Sequence, residues 1–315
     1  MSKIKLLHHP EENTAYSHKL GFFPPYLAPY FDILYYDPAV NYNPQDTVIV
    51  VPVRNQNLWW QPLVDQGFKI VIENLTEVAS YYDLFWPANK PVPVNALRLT
   101  CNRFFSFADA LTWQHLGYAK YVPQRHQQYK ALILMGHIRA HRDLLLRQLG
   151  TELDNCLWSY IKRDRSLDDI NNKENWTRSL DPNWFNSTCF SIVAETRVNR
   201  ARDQQPFITE KTYKPIAMQQ PFMILGDSDS LGYLKREGYE TFDNLWSEQY
   251  DREFSFEKRI DSIVQNTINY NKQPLDKLTE EKVQHNRARF FDPGRIAQAI
   301  NAEMIEPVIE YANKT

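Results

Sequence analysis

Cysteine is scarce. Cys101, Cys156 and Cys189 are the only three in 315 residues. An odd number, with no Cys-x-x-Cys pair and no histidine at ligand spacing, argues against a disulfide framework and a structural zinc. Glycine is also scarce, at 9 residues, which excludes collagen-like and glycine-linker architectures. No run of 18 apolar residues occurs, so no membrane-spanning helix is expected. The stretch Met1 to His9 lacks the apolar core of a secretion signal. The chain is expected to be soluble and cytoplasmic, in the host cytoplasm if phage-encoded, and in a reducing compartment. The Asn-x-Ser/Thr triplets at Asn74, Asn175 and Asn186 then read as chance. An excess of one charge is missing as well. The net charge of −2 gives no support to a polybasic nucleic-acid or membrane binder, or to an acidic tail.

What the sequence has is apolar and aromatic material, 43% and 14% of residues, enough for two cores at roughly 150 residues per domain. Short apolar runs recur at Ile33 to Tyr36, Thr47 to Val53, Phe68 to Ile72, Ala131 to Met135, Leu157 to Tyr160, Cys189 to Ala194 and Pro221 to Leu225. "TVIVVPV" and "PFMILG" are apolar on both faces, which suits central strands of a covered parallel sheet. Their alternation with helix-length segments predicts an α/β class. A linker-like stretch over 122–129 places the boundary between a first domain, 1–125, and a second, 126–290. Helices are predicted at Phe256 to Asn271 and Thr279 to Phe290. Over 291–315, Asp292-Pro293 opens a last helix through Ile309, with Asp as N-cap. Arg163 to Asn186 is the most loop-like insertion.

Two segments carry chemistry. In Phe190 to Gly226 a buried strand ends in Glu195. A loop with Arg197, Arg200 and Arg202 follows. Thr209 then caps a helix that opens with Glu210 and Lys211, and the strand "PFMILG" comes next. This delivers the charged pair to the C-terminal edge of a parallel sheet, where open α/β sheets bind ligands. A helix N-terminus there suits a phosphate. The alternative is that Glu210 only complements the helix terminus and Lys211 is a solvated surface residue. The second segment, "MGHIRAHRDLLLRQL", leaves its strand at Gly136. It places His137, Arg139, His141 and Arg142 at the mouth, with Leu144, Leu145 and Leu149 facing the core; the alternative is a basic first turn on a surface helix. Residues 130–214 hold 14 Lys/Arg against 11 Asp/Glu, so anion binding is assigned to the second domain.

Together, "FITEKTYKPIAMQQPFMILGDSDSLGYLKREGYETF" and "GHIRAHR" resemble the donor-binding elements of GT-B glycosyltransferases of the fucosyltransferase type. They are also similar to putative glycosyltransferases encoded by phages. The resemblance covers about residues 130–245 and implies two Rossmann-like domains facing across a cleft. The donor, a nucleoside-diphosphate sugar, would lie on the second domain and the acceptor on the first, with the C-terminal helix crossing back to the first domain. It implies that Glu210 binds the donor ribose, Lys211 its phosphates, and Arg142 with Arg139 the pyrophosphate. Glu195 would organise the site and Thr209 would cap it. Fucosyltransferases of this type carry Glu-Asn-Ser where this chain has Glu195-Thr196-Arg197, which leaves the sugar open.

The activity implied is glycosyl transfer, inverting and metal-independent, with no cofactor beyond the donor. The acceptor is a hydroxyl of a glycan or protein, or a hydroxymethylated DNA base. Asp227-Ser228-Asp229 spells a metal pair but reads as a strand-to-helix cap. Glu73, at the end of "FKIVIE", is the candidate general base, with Asp83 and His9 behind it; the alternative for Glu73 is an ordinary strand-end carboxylate. Trp59, Trp60, Tyr81, Tyr82 and Trp86 could stack on a sugar or base, or form core. A nucleotide-sugar epimerase of the same fold and a non-catalytic nucleotide-sugar binder remain as competing readings.

Overall fold

A computed structural model describes residues 3–9, 27–52, 59–74, 93, 95–100, 103–167, 180–199 and 205–314. The chain divides into two compact units: Met1–Ala108 with Pro293–Thr315, and Asp109–Asp292.

In the first unit β1 (Ile4–His8), β2 (Phe31–Tyr35), β3 (Thr47–Pro52), β4 (Lys69–Asn74) and β5 (Leu97–Thr100) form a parallel sheet in the order β2-β1-β3-β4-β5. Val48 to Val51 are all buried, as a strand covered on both faces requires. Leu7, Ile49, Val51, Trp60, Ile70 and Ile72 pack into one core. Helix α1 (Gln61–Asp65) follows β3, and α2 (Phe104–His115) follows β5 and continues past Ala108 into the second unit.

The second unit repeats the plan. Strands β6 (Tyr129–Met135), β7 (Cys156–Tyr160), β8 (Thr188–Ala194) and β9 (Phe222–Leu225) run parallel in the order β7-β6-β8-β9. Every residue of β8 is buried. Around this sheet lie α3 (Ala140–Leu149), α4 (Pro182–Asn186), α5 (Glu210–Ala217), α6 (Ser230–Arg236), α7 (Phe256–Asn269) and α8 (Lys277–Phe290). α3 packs on α7, and α5 packs on β8 and α8. The start of α8 is set by Asp276, whose carboxylate accepts the Thr279 N–H at 2.7 Å. The helix therefore begins before the expected Thr279. Both units are Rossmann-like: parallel strands, a helix between β3 and β4 in one and between β6 and β7 and between β8 and β9 in the other, and a strand order that reverses between β1 and β3 in one sheet and between β6 and β8 in the other.

The expected single helix from Pro293 to Ile309 is instead α9 (Pro293–Ile300), a π turn over Asn301–Ile305, and α10 (Glu306–Asn313). Pro307 supplies a reason. It has no N–H for the carbonyl four residues back, so the ladder changes register just before it. Glu303 on the π turn binds Arg103 Nε at 2.5 Å and the Arg103 N–H at 3.0 Å. The Tyr311 hydroxyl donates to the Asn95 carbonyl at 2.6 Å.

Among the described residues no helix is long and apolar enough to cross a membrane. Cys156 and Cys189 are buried free thiols; burial pushes Cys156 up to about 11 and raises Cys189. Cys101 lies outside the described residues.

Candidate functional site

The C-terminal ends of β6 and β8 lie side by side at the point where the strand order reverses, the ligand-binding position of an open α/β sheet. Chain leaves β6 through Gly136 and β8 through Glu195, and both exits carry charged residues.

Glu195 is fully buried, and its carboxylate is saturated. Oε1 accepts the Thr209 N–H at 3.0 Å and the Thr212 hydroxyl at 2.7 Å. Oε2 accepts the Thr209 hydroxyl at 2.6 Å and the Thr196 N–H at 3.3 Å. Glu195 thus ties the end of β8 to the first turn of α5. Thr209 completes the cap: its side chain accepts the Lys211 N–H at 3.4 Å, satisfying one donor of the helix start.

The next two residues form a pair. Lys211 Nζ lies 2.8 Å from Glu210 Oε1, 3.0 Å from Thr209 Oγ1 and 3.3 Å from Thr196 Oγ1. Both side chains are mostly shielded, 20% exposed for Lys211 and 12% for Glu210. Burial pushes the Glu210 carboxyl up, but Lys211 and Lys214 outweigh it and hold the group below its ordinary value.

The other exit departs from expectation at two positions. His141 and Arg142 do not line the mouth. They share the buried face of α3 with Leu145 and Leu149, because residues three and four apart stack on one helix face. His141 Nε2 donates to the Glu195 carbonyl at 2.9 Å, and burial lowers its pKa to about 4. Arg142 is 2% exposed. It donates to the carbonyls of His137 at 2.8 Å, Ala194 at 2.8 Å and Glu195 at 3.1 Å. Its fork fastens the β6 exit to the β8 exit rather than facing a ligand. Arg139 is the exposed guanidinium of the turn. It holds the N-cap position of α3, and its N–H donates to the Tyr160 hydroxyl at 3.2 Å. His137, also exposed, has its pKa lowered first by burial and then by Arg139, Arg142, Lys162 and Lys211. Cationic groups from both exits therefore lie near His137.

Asp227-Ser228-Asp229 forms the expected strand-to-helix junction, with Asp229 at the N-cap position, but neither carboxylate makes the capping bond. Asp227 Oδ2 accepts Arg197 Nε at 2.7 Å and the Phe207 N–H at 3.1 Å. Asp229 occupies the N-cap position of α6 without a side-chain cap bond and binds Arg236 at 2.8 Å. The cap comes from Asp251, whose two oxygens accept the Leu231 and Gly232 N–H groups at 3.0 and 3.1 Å. Burial raises Asp251 to about 6. Arg200 and Arg202 lie outside the described residues. Among the described residues no group of three His, Cys, Asp or Glu could hold a metal ion.

In the first unit Glu73 is the fifth residue of β4, in register with Pro52 and Leu99 at the C-terminal end of that sheet. At that sheet's own reversal point His9 and Trp59 pack around Tyr36, with ring centroids 6.5 and 4.9 Å from it. Trp60 is core. Asp83, Tyr81, Tyr82 and Trp86 lie outside the described residues.

Thr212 and Asp251 were not singled out in the sequence. The Thr-x-x-Thr spacing of 209 and 212, which stacks both hydroxyls on one helix face, signals the first; nothing local signals the second. No protein-family model matches the chain, and a comparison with curated proteins finds no match.

Proposed function

We propose that the protein is a glycosyltransferase of GT-B type that moves a sugar from a nucleoside diphosphate to an acceptor hydroxyl. The observation that carries this reading is the meeting of the Thr209-Glu210-Lys211 helix start with the Gly136–Arg139 turn where the second sheet reverses. Arg139 from one exit and Lys211 from the other both act on His137 at this rim. In the free protein Glu210 occupies Lys211. With donor bound, a phosphate oxygen displaces that carboxylate, and Glu210 turns to the ribose hydroxyls. Arg139 and the N-terminus of α5 take the remaining phosphate charge.

In the inverting step the acceptor oxygen attacks the anomeric carbon, the bond from that carbon to the diphosphate oxygen breaks, and the acceptor proton passes to a base. Glu73 is assigned as that base, and the acceptor to the first unit. Negative charge grows on the departing diphosphate, where Lys211 and Arg139 stabilise it; the anomeric carbon passes through an oxocarbenium-like state. The acceptor hydroxyl belongs to a glycan, a protein or a hydroxymethylated base.

A thermal-shift screen against UDP-, GDP-, ADP- and CMP-linked sugars identifies the donor, and calorimetry on the best one tests the site. Lys211→Ala and Glu210→Ala are each expected to weaken it at least tenfold, which is about 1.4 kcal/mol. Unchanged affinity in both variants rejects the assignment. Release of free nucleotide on adding acceptor separates a transferase from a binder that only holds the donor.

A further inference from the structure

The edge strand of the second sheet, β7, carries an open cleft on the face toward α3. It encloses about 410 Å³, within the range of about 300–1,000 Å³ found for ligand sites. Strand alternation turns Trp158 and Tyr160 to this face. Asp143 and Leu146 come from α3, and Arg163 and Arg165 from the turn after β7. Arg165 covers the half-buried Trp158: its guanidinium carbon lies 3.8 Å from the ring centre, the separation of two stacked planar groups. Its Nε donates to the Trp158 carbonyl at 3.2 Å, and its own carbonyl accepts the Tyr160 N–H at 2.7 Å. Side chain and backbone are both held, which leaves the two Nη groups and the outer face of the plane for a ligand. Asp143 is bound to Arg163 at 3.0 Å. Arg139, Asp143 and Arg147 recur every four residues and so share one side of α3. Along this edge five exposed cations (Arg139, Arg147, Lys162, Arg163 and Arg165) stand against two carboxylates, Asp143 and Asp164. Among the described residues no carboxylate pairs with Arg139, Arg147, Lys162 or Arg165.

We propose that this cleft holds a nucleic-acid single strand, with one base stacked on the Arg165 plane and the flanking phosphates on Arg163 and Lys162. A guanidinium fixed flat on an indole is a platform for another flat ring, and a base can use it only when it is out of a duplex. A phosphorylated peptide or an acidic glycan would engage the cations and leave the platform idle. The cations also run beyond the cleft, to Lys162 and Arg139, so several phosphates are served, as in a strand rather than a free nucleotide. The chain's net charge of −2 does not oppose this, because a strand feels the charges within a Debye length, about 8–10 Å. The inference stands on the cleft and not on the donor-site reading. Where both hold, it selects the hydroxymethylated base among the acceptors named above.

The test is fluorescence anisotropy with a labelled mixed-sequence DNA strand about ten nucleotides long, at low salt. The same strand without bases, heparin and free mononucleotides serve as competitors. The proteins are the native chain, Arg165→Lys and Arg163→Ala, both substitutions being at exposed positions, and a melting curve checks that each variant is folded. The native chain is expected to bind the strand about tenfold tighter than the baseless strand, the worth of one stacked base. Arg165→Lys keeps the charge and loses the plane, so it should bind both strands alike. Arg163→Ala should make the slope of log affinity against log salt shallower by about 0.7, one phosphate contact. Pyrophosphate affinity, read by calorimetry, should stay within about twofold in both variants, since neither residue belongs to the donor site. Four results overturn the proposal: no binding of the strand, equal binding of the baseless strand or heparin, native discrimination retained in Arg165→Lys, or displacement by a mononucleotide as effective as by the unlabelled strand. None of these touches the donor-site reading, which falls only if pyrophosphate and nucleotides fail to bind.

Discussion

Arg139 and Arg142 are three residues apart and have opposite surroundings. Arg142 is enclosed and holds three backbone carbonyls, whereas Arg139 is exposed at the rim. Their residue type is plain in the sequence, but their difference follows from helix periodicity. His141, Leu145 and Leu149 recur every four residues, and Arg142 joins that stripe through Leu145 and Leu149. Removing Arg142 strands buried carbonyls, at roughly 1–3 kcal/mol for each unsatisfied group. Arg142→Ala is therefore expected to lower unfolding free energy by about 3 kcal/mol or more in urea titrations. Arg139→Ala should change stability by less than about 0.5 kcal/mol, as surface substitutions do, and should weaken pyrophosphate binding several-fold. If Arg142→Ala were as stable as the native protein yet lost pyrophosphate, the guanidinium would be a ligand group after all.

At the scale of elements, the sequence shows best those strands that are apolar on both faces. "TVIVVPV" and the run ending at Ala194 became β3 and β8 with small changes at their ends. Both segments of the candidate site were legible because each follows such a strand directly. β1 and β5 were not. Ile4–His8 is five residues long with a lysine inside it, and Leu97–Thr100 is four with an arginine. Neither offers enough length for a period to stand out, and each is fixed by pairing with a distant strand. The residues that hold the site are equally nonlocal: the bonds of Glu195 span 14 and 17 positions, and Asp251 caps a helix 20 residues earlier. The segment after Pro293 belongs to the first unit, and it buries Ile296, Ala299, Ile300, Met304, Ile305 and Val308. At roughly 1.5–3 kcal/mol for each large side chain, that burial rivals the whole stability of a typical domain, about 5–15 kcal/mol. A chain ending at Asp292 is expected to leave the first unit unfolded. Native-like amide protection of β3 in that truncated chain would contradict this.

Across the whole molecule, acid should act on the two units unequally. His8 in the first unit is fully buried, and burial lowers its pKa to about 3; His141 in the second is lowered to about 4. Both have an ordinary value of 6.5. Below that value the unfolded chain takes up protons that the folded chain refuses, so each histidine removes stability as pH falls, by about 1.4 kcal/mol per pH unit. In the second unit Asp251 works the other way. Its folded value, about 6, lies above its ordinary 3.8, so the folded state binds that proton first and gains stability as pH falls from 6 to 3.8. The windows of His141 and Asp251 overlap, and their contributions, about 3 kcal/mol each, nearly cancel. His8 is left to weaken the first unit between pH 6.5 and 3. Hydrogen exchange read separately from β3 and β8 peptides should show protection of β3 falling steeply from pH 6.5 to 4.5, after correction for intrinsic exchange, while β8 falls less, through the lowered His137 that Asp251 does not offset. His8→Gln should flatten the β3 slope whatever it does to absolute stability. Asp251→Asn should make β8 acid-labile by removing the group that offsets His141. Parallel loss of protection in the two strands of the native protein would show that the balance set by Asp251 does not operate.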